Sequence, residues 1–120
     1  MAKILAVDDS ASMRNMVAFT LRGAGHEVRE AADGRAALDA AMAERFDLVL
    51  ADVNMPVMDG IVLTRELRAL PSMTGVPILI LTTESNIEKK MEGKTAGATG
   101  WLVKPFDPEQ LLATVARVAG

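Results

Sequence analysis

The sequence predicts an α/β fold, a doubly wound sheet of five parallel strands with five helices. Two observations carry that expectation. Short apolar runs alternate with helix-period stretches throughout the 120 residues, the pattern of repeated strand-helix-strand units whose right-handed crossovers lay helices on both faces of one parallel sheet. In addition, Leu48, Val49, Leu50 and Ala51 form an uninterrupted apolar run. A central strand covered on both faces reads that way, whereas a strand with one wet face alternates polar and apolar residues.

Taken in order, Lys3 to Val7 is a short buried strand that runs into Asp8-Asp9. A helix is expected from about Ser12 to Arg22, with Met13, Met16, Val17 and Leu21 on one face, Ser10 or Ser12 as cap, and Gly23 and Gly25 as stop signals. His26 to Ala31 reads as the second strand, and Asp33-Gly34 turns into an alanine-rich helix reaching about Glu44. The third strand is Phe46 to Ala51, delivering Asp52 at its C-terminal tip.

Gly60 to Leu70 is the third helix, with Leu63, Leu67 and Leu70 on one stripe and Pro71 ending it. Val76 to Leu81 is the fourth strand, with Thr82, Thr83 and Glu84 at its tip. Asn86 to about Ala96 is a weaker helix carrying Glu88, Lys89, Lys90, Glu92 and Lys94, and Gly100 to Val103 is a fifth strand leading to Lys104-Pro105. The last helix begins at Asp107 as N-cap, with Pro108 in the first turn and Gln110 placed for a capping box. It buries Leu111, Leu112, Val115 and Val118.

Composition bounds the function. A chain of this length is one ordinary domain, residues 1–120, and half hydrophobic with 24% charged residues is globular composition. No linker, repeat or further output domain is expected. A net charge of −3 argues against nucleic acid, which demands a basic face. With no cysteine, disulfides and thiolate metal sites are excluded. The first apolar run is too short for a signal peptide and no segment approaches a membrane span, so a cytoplasmic protein is expected.

In an open α/β sheet, ligands bind at the carboxyl edge of the strands. The groups gathered there are Asp8, Asp9, Asp52, Thr82 and Lys104. Three converging carboxylates repel, so either one holds a proton or a cation sits among them. Oxygen-only donors favour Mg²⁺ over zinc, and Mg²⁺ completes its shell with water and phosphate oxygens. A metal, an ammonium and a hydroxyl around one anion are the apparatus of phosphoryl transfer. Asp52 stands alone on its strand while Asp8-Asp9 are adjacent and suited to a metal, which assigns the nucleophile to Asp52.

The motifs V-D-D-S, L-A-D-V-N-M-P-V-M-D-G, L-I-L-T-T-E and W-L-V-K-P-F stand in that order along the chain. In this they resemble response-regulator receiver domains, and the match runs end to end. T-T-E-S and G-A-T-G-W-L-V-K-P-F-D-P make the chain most similar to single-domain chemotaxis regulators of the CheY type. The resemblance implies strand order 2-1-3-4-5, for which CheY is itself a standard example.

It also implies a monomeric two-component switch that takes a phosphoryl group on Asp52 from a sensor histidine kinase of the CheA type. The switch would then alter its surface for a flagellar motor switch protein or another phospho-dependent target. Asp9 and Asp52 would ligate Mg²⁺ directly, Asp8 through water and Asn54 through its backbone carbonyl. Thr82 would move towards the phosphoryl oxygens, Lys104 would pair with them, and the Lys104-Pro105 bond would be cis. Asn54 and Glu84 match positions that tune self-dephosphorylation. Trp101 occupies the aromatic switch position, where relatives most often carry tyrosine or phenylalanine. The fourth helix, fifth strand and last helix correspond to the family's partner-binding face.

Other readings stand beside these. Asp8-Asp9 taken alone is a helix-cap pair, Thr82 a strand-end hydroxyl, Lys104 a surface lysine, and Trp101 a core filler. His26 reads as structural or exposed, the methionines as core filling apart from Met55 and Met58 beside the Asp52 loop, and the Glu88 to Lys94 run as a solvated face. A phosphate sink or relay receiver feeding back on the kinase is an alternative output. A Mg²⁺-dependent phosphatase with an aspartate nucleophile needs D-x-D on the first strand, and Asn54 cannot serve as its acid. A flavin carrier lacks its phosphate loop and stacking aromatics.

Overall fold

The computed structural model of the protein describes residues 2–55, 58–83 and 87–119. Its strands are β1 (Lys3–Val7), β2 (Glu27–Ala31), β3 (Leu48–Asp52), β4 (Ile78–Thr83) and β5 (Gly100–Lys104). Between and after them come α1 (Ala11–Gly23), α2 (Gly34–Ala43), α3 (Gly60–Arg68), α4 (Ile87–Ala96) and α5 (Pro108–Ala119). Every ladder is parallel and the sheet order is β2-β1-β3-β4-β5, as the resemblance implies.

Alternation along the central strands sorts the core into two layers. Ile4, Ala6, Leu48 and Leu50 face Val17 and Leu21 of α1 and Leu111 and Val115 of α5. Leu5, Val7, Val49 and Ala51 point the other way, onto Ala37 and Leu38 of α2 and Leu63 and Leu67 of α3. All five residues of β3 are buried. That is why its sequence is an apolar run and why Asp52, at its end, is anchored in rigid surroundings.

The helix starts follow the cap residues. The Ser10 hydroxyl accepts from the Met13 N–H at 3.3 Å, Asp33 Oδ1 from Ala36 at 2.7 Å, and Asp59 Oδ1 from both Ile61 and Val62. The expected capping box at α5 is complete: Asp107 Oδ1 accepts from the Gln110 N–H at 2.8 Å, and Gln110 Oε1 accepts from the Asp107 N–H at 2.9 Å.

Several element bounds differ from the sequence expectation, β2 among them, which starts at Glu27 after His26. β3 begins at Leu48 instead of Phe46, because the Asp47 carboxylate accepts from the Lys3 N–H at 2.8 Å and turns the chain into the ladder. β4 is shifted forward to Ile78–Thr83, since its pairing starts where the Pro77 carbonyl meets the Val49 N–H and continues to Thr83 opposite Lys104. Thr82 therefore lies inside the strand and is buried. β5 likewise includes Lys104. α3 ends at Arg68, before Leu70, because a 3-10 turn, Pro71–Met73, follows and Arg68 turns inward there.

Arg68 then organises the amino edge of the sheet. Its guanidinium donates to the carbonyls of Met73 (2.9 Å), Val76 (2.7 Å) and Gly97 (2.9 Å). Burial holds its pKa below the ordinary arginine value. Gly97, at φ +110°, supplies the left-handed turn that brings its carbonyl to this cation. His26 proves structural: its Nδ1 accepts from the Ala2 N–H at 3.0 Å.

Candidate functional site

Strand register assembles the acidic cluster. Val7 pairs with Ala51, so the next residues on the two strands, Asp8 and Asp52, emerge side by side at the carboxyl edge. Asp52 pairs with Leu81 and Thr83 with Lys104, so β5 delivers its lysine from beyond β4. Carboxylate oxygens of Asp8, Asp9 and Asp52 lie within 4.8 Å of one another. Asp8 is only 2% exposed and Asp52 5%, while Asp9 faces solvent.

Lys104 Nζ donates to Asp52 Oδ1 at 3.0 Å and stands 3.8 Å from Asp8 Oδ2. Its peptide bond to Pro105 is cis. Asp8 is anchored through its other atoms. Its N–H donates to the Ala31 carbonyl at 3.1 Å, its Oδ1 accepts from the Ser10 N–H at 2.9 Å, and its carbonyl accepts from Arg14 Nη1 at 2.7 Å. Among the described residues, Asp8 Oδ2 is buried without a hydrogen-bond partner. Burial raises the Asp8 pKa above the ordinary carboxylate value, opposed by the Ser10 N–H and reinforced by the Asp52 charge.

The loop after Asp52 is packed against this edge. A Cβ on Gly60 would fall 2.4 Å from the Asp52 carbonyl oxygen, so α3 starts in direct contact with the backbone of that residue. The Gly60 N–H donates to Val53 O at 3.1 Å, and the Val53 N–H to Leu81 O at 3.0 Å. Met55 is buried and Met58 partly buried against the core, with Met58 pressed on Gly34 at the start of α2. The two methionines beside the loop thus serve packing.

Of the residues singled out in the sequence, Asp8, Asp9, Asp52 and Lys104 come together, and Thr82 lies on the neighbouring strand one position past the partner of Asp52. Asn54 is exposed two residues beyond Asp52. Glu84 falls outside the described residues. Trp101 is 41% exposed, at the edge strand, with Lys90 Nζ 5.7 Å from its ring centroid, so the core-filler reading does not hold for its position. Sequence reasoning missed Arg14. Its link to Asp8 crosses from α1 to the end of β1, and no local pattern signals such a bond.

Chemically, an orphaned buried carboxylate oxygen beside two further carboxylates fits a hard divalent cation. The donors are all oxygen, with neither histidine nor cysteine among them, which suits Mg²⁺. A partly buried ammonium bonded to one of the carboxylates adds a fixed cation for an incoming anion.

Residues 4–116 match the family model described as the response regulator receiver domain. Among solved structures, the chemotaxis response regulator CheY4 of Vibrio cholerae superposes with a TM-score of 0.94 at 58% identity, covering 98% of each chain. Among curated proteins, the DNA-binding response regulator MtrA of Mycobacterium tuberculosis is 42% identical over 113 residues. The transcriptional regulatory protein ZraR of Escherichia coli is 42% identical over 112. The chain spans 48% of MtrA and 25% of ZraR.

Proposed function

The chain belongs to the response regulator receiver domain family, and from that premise we propose that Asp52 is its phosphoacceptor and that its output is chemotaxis. Receiver domains are signalling switches, not classical enzymes, and they take phosphate from histidine kinases. The observation that carries the reading is the convergence of Asp8, Asp9 and Asp52 with Lys104 bonded to Asp52 at 3.0 Å.

In this reading an Asp52 oxygen attacks the phosphorus of a kinase phosphohistidine. The P–N bond breaks with its electron pair leaving to the imidazole, and an acyl phosphate O–P bond forms. Asp9 and Asp52 would hold Mg²⁺ directly, Asp8 through water and Asn54 through its carbonyl. The ion, when bound, neutralises the phosphoryl oxygens. Lys104 exchanges its bond to Asp52 for one to the new phosphoryl group, and Thr82 supplies a hydroxyl from β4. Trp101 then leaves its outward position under Lys90, which changes the α4, β5 and α5 surface.

The test is labelling. A small phosphodonor with Mg²⁺ should add one phosphoryl group by intact mass, and Asp52→Asn should add none. Undiminished labelling of Asp52→Asn overturns the acceptor.

The chemotaxis output is supported by the likeness to CheY4 across nearly the whole of both chains. The DNA binding in the name of MtrA belongs to a protein of which this chain spans about half. The charge argument against nucleic acid concerns these residues alone. A pull-down with beryllofluoride-treated protein should retain a flagellar motor switch protein that untreated protein does not. Retention of no target, together with drainage of phosphate from the kinase, is the phosphate-sink outcome and overturns the motor assignment.

A further inference from the structure

The first turn after β1 must hold two carboxylates in fixed directions, and its backbone is pinned from a distance. Of the groups that anchor Asp8, the Ala31 carbonyl and the Ser10 N–H are main chain. The remaining anchor, Arg14 Nη1 on the Asp8 carbonyl at 2.7 Å, is a side chain. That carbonyl belongs to the planar peptide joining Asp8 to Asp9, so fixing its direction fixes the plane from which Asp9 departs. One bond thereby constrains both carboxylates.

The guanidinium is itself braced. Arg14 Nε lies 3.4 Å from Glu30 Oε1, and Glu30 Oε2 lies 3.2 Å from Arg22 Nη1, whose Nη2 donates to the Val28 carbonyl at 2.9 Å. Arg14 is 18% exposed, so water competes weakly for it. The chain of contacts runs from the end of α1 through β2 to the acidic cluster.

We propose that Arg14 is a positioning residue for the divalent-cation site, acting through the Asp8-Asp9 peptide and held in place by Glu30. This rests on the reading of the acidic cluster as a cation site. It concerns a residue that touches neither the cation nor the phosphoryl group.

The experiment is Mg²⁺ titration by calorimetry on the wild type, Arg14→Met, Arg14→Lys and Glu30→Gln, with melting in chelator as a check of folding. Arg14→Met keeps the apolar stem and loses the donor, and its Mg²⁺ affinity should fall about tenfold, the scale of lost outer-shell support. Arg14→Lys keeps one cationic donor for one carbonyl and should recover most of that loss. Glu30→Gln leaves Arg14 in place unbraced and should weaken Mg²⁺ about threefold, with the Asp9 and Ser10 amide resonances shifted in the metal-free protein.

Arg14→Met binding Mg²⁺ as tightly as the wild type overturns the proposal, as does a lysine variant as weak as the methionine one. If Arg14→Met does not fold, Glu30→Gln decides, and unchanged affinity there overturns it. A wild type that binds no Mg²⁺ brings down the cation reading itself. That result is distinct from a wild type that binds and an Arg14→Met variant that binds equally.

Discussion

Lys104 Nζ sits 3.0 Å from Asp52 Oδ1, a bond from β5 to β3 that passes over the intervening strand β4. Without it, two buried carboxylates face each other with no cation of the protein's own between them. Lys104→Met should therefore destabilise the metal-free protein by about 2 kcal/mol, less than a fully buried pair would lose because the ammonium is partly solvated. Urea midpoints with and without Mg²⁺ check this. The added ion should recover more stability in the variant than in the wild type.

Asp8 has the opposite sign. Its carboxyl is held above the ordinary range, first by burial, so its ionised form costs folding free energy at neutral pH. Asp8→Asn should stabilise the metal-free chain, seen as a rise in Tm, and abolish the further rise expected of the wild type on adding Mg²⁺. A lower Tm without metal would contradict this.

Gly60 is needed for contact and not for conformation. A methyl there meets the Asp52 carbonyl oxygen at 2.4 Å, and backbone cannot swing aside as a side chain can. Gly60→Ala should cost about 3 kcal/mol and weaken Mg²⁺ binding, because the strain falls on the residue that carries the site. Melting and Mg²⁺ titration on one sample read both effects.

Arg68 serves as the contrasting case at the far edge. Arg68→Met strands the carbonyls of Met73, Val76 and Gly97 and should cost about 2–3 kcal/mol, with Mg²⁺ affinity unchanged. A loss of stability accompanied by a loss of Mg²⁺ affinity would show that the two edges are coupled.

Lys3 and Glu44 set a pH window. Glu44 is held below the ordinary glutamate value, chiefly by its hydrogen bond from Lys3 and also by Arg29, and Lys3 is raised by the same partner. A depressed carboxyl contributes stability above its unfolded value of 4.5, lost as pH falls through the folded value. A raised lysine contributes below 10.5, lost as pH climbs through its folded value. The Tm difference between wild type and Glu44→Gln should be widest between those limits and close towards acid. A difference constant down to strong acid would refute the pairing.

What could be read from the sequence was whatever is local or periodic. The β3 run, the Asp33 and Asp59 turns, and the Asp107–Gln110 box each announce themselves within four residues or one strand length. Strand tips followed, and with them the cluster of Asp8, Asp52 and Lys104. What escaped depends on partners far along the chain. The start of β4 is set by Val49 opposite Ile78, and the end of α3 by carbonyls as distant as Gly97. Arg14 and Arg68 look in sequence like ordinary charges on solvated helix faces. Only folding shows that each spends its guanidinium on backbone.

Asp8 follows directly on the first strand and Lys104 completes the last, so the cluster has no local precursor. During synthesis the ribosome releases Asp8 and Asp52 well before Lys104, and until β5 docks against β4 the carboxylates lack their ammonium. A partly made copy thus carries its carboxylates without the cation that the finished fold sets against Asp52.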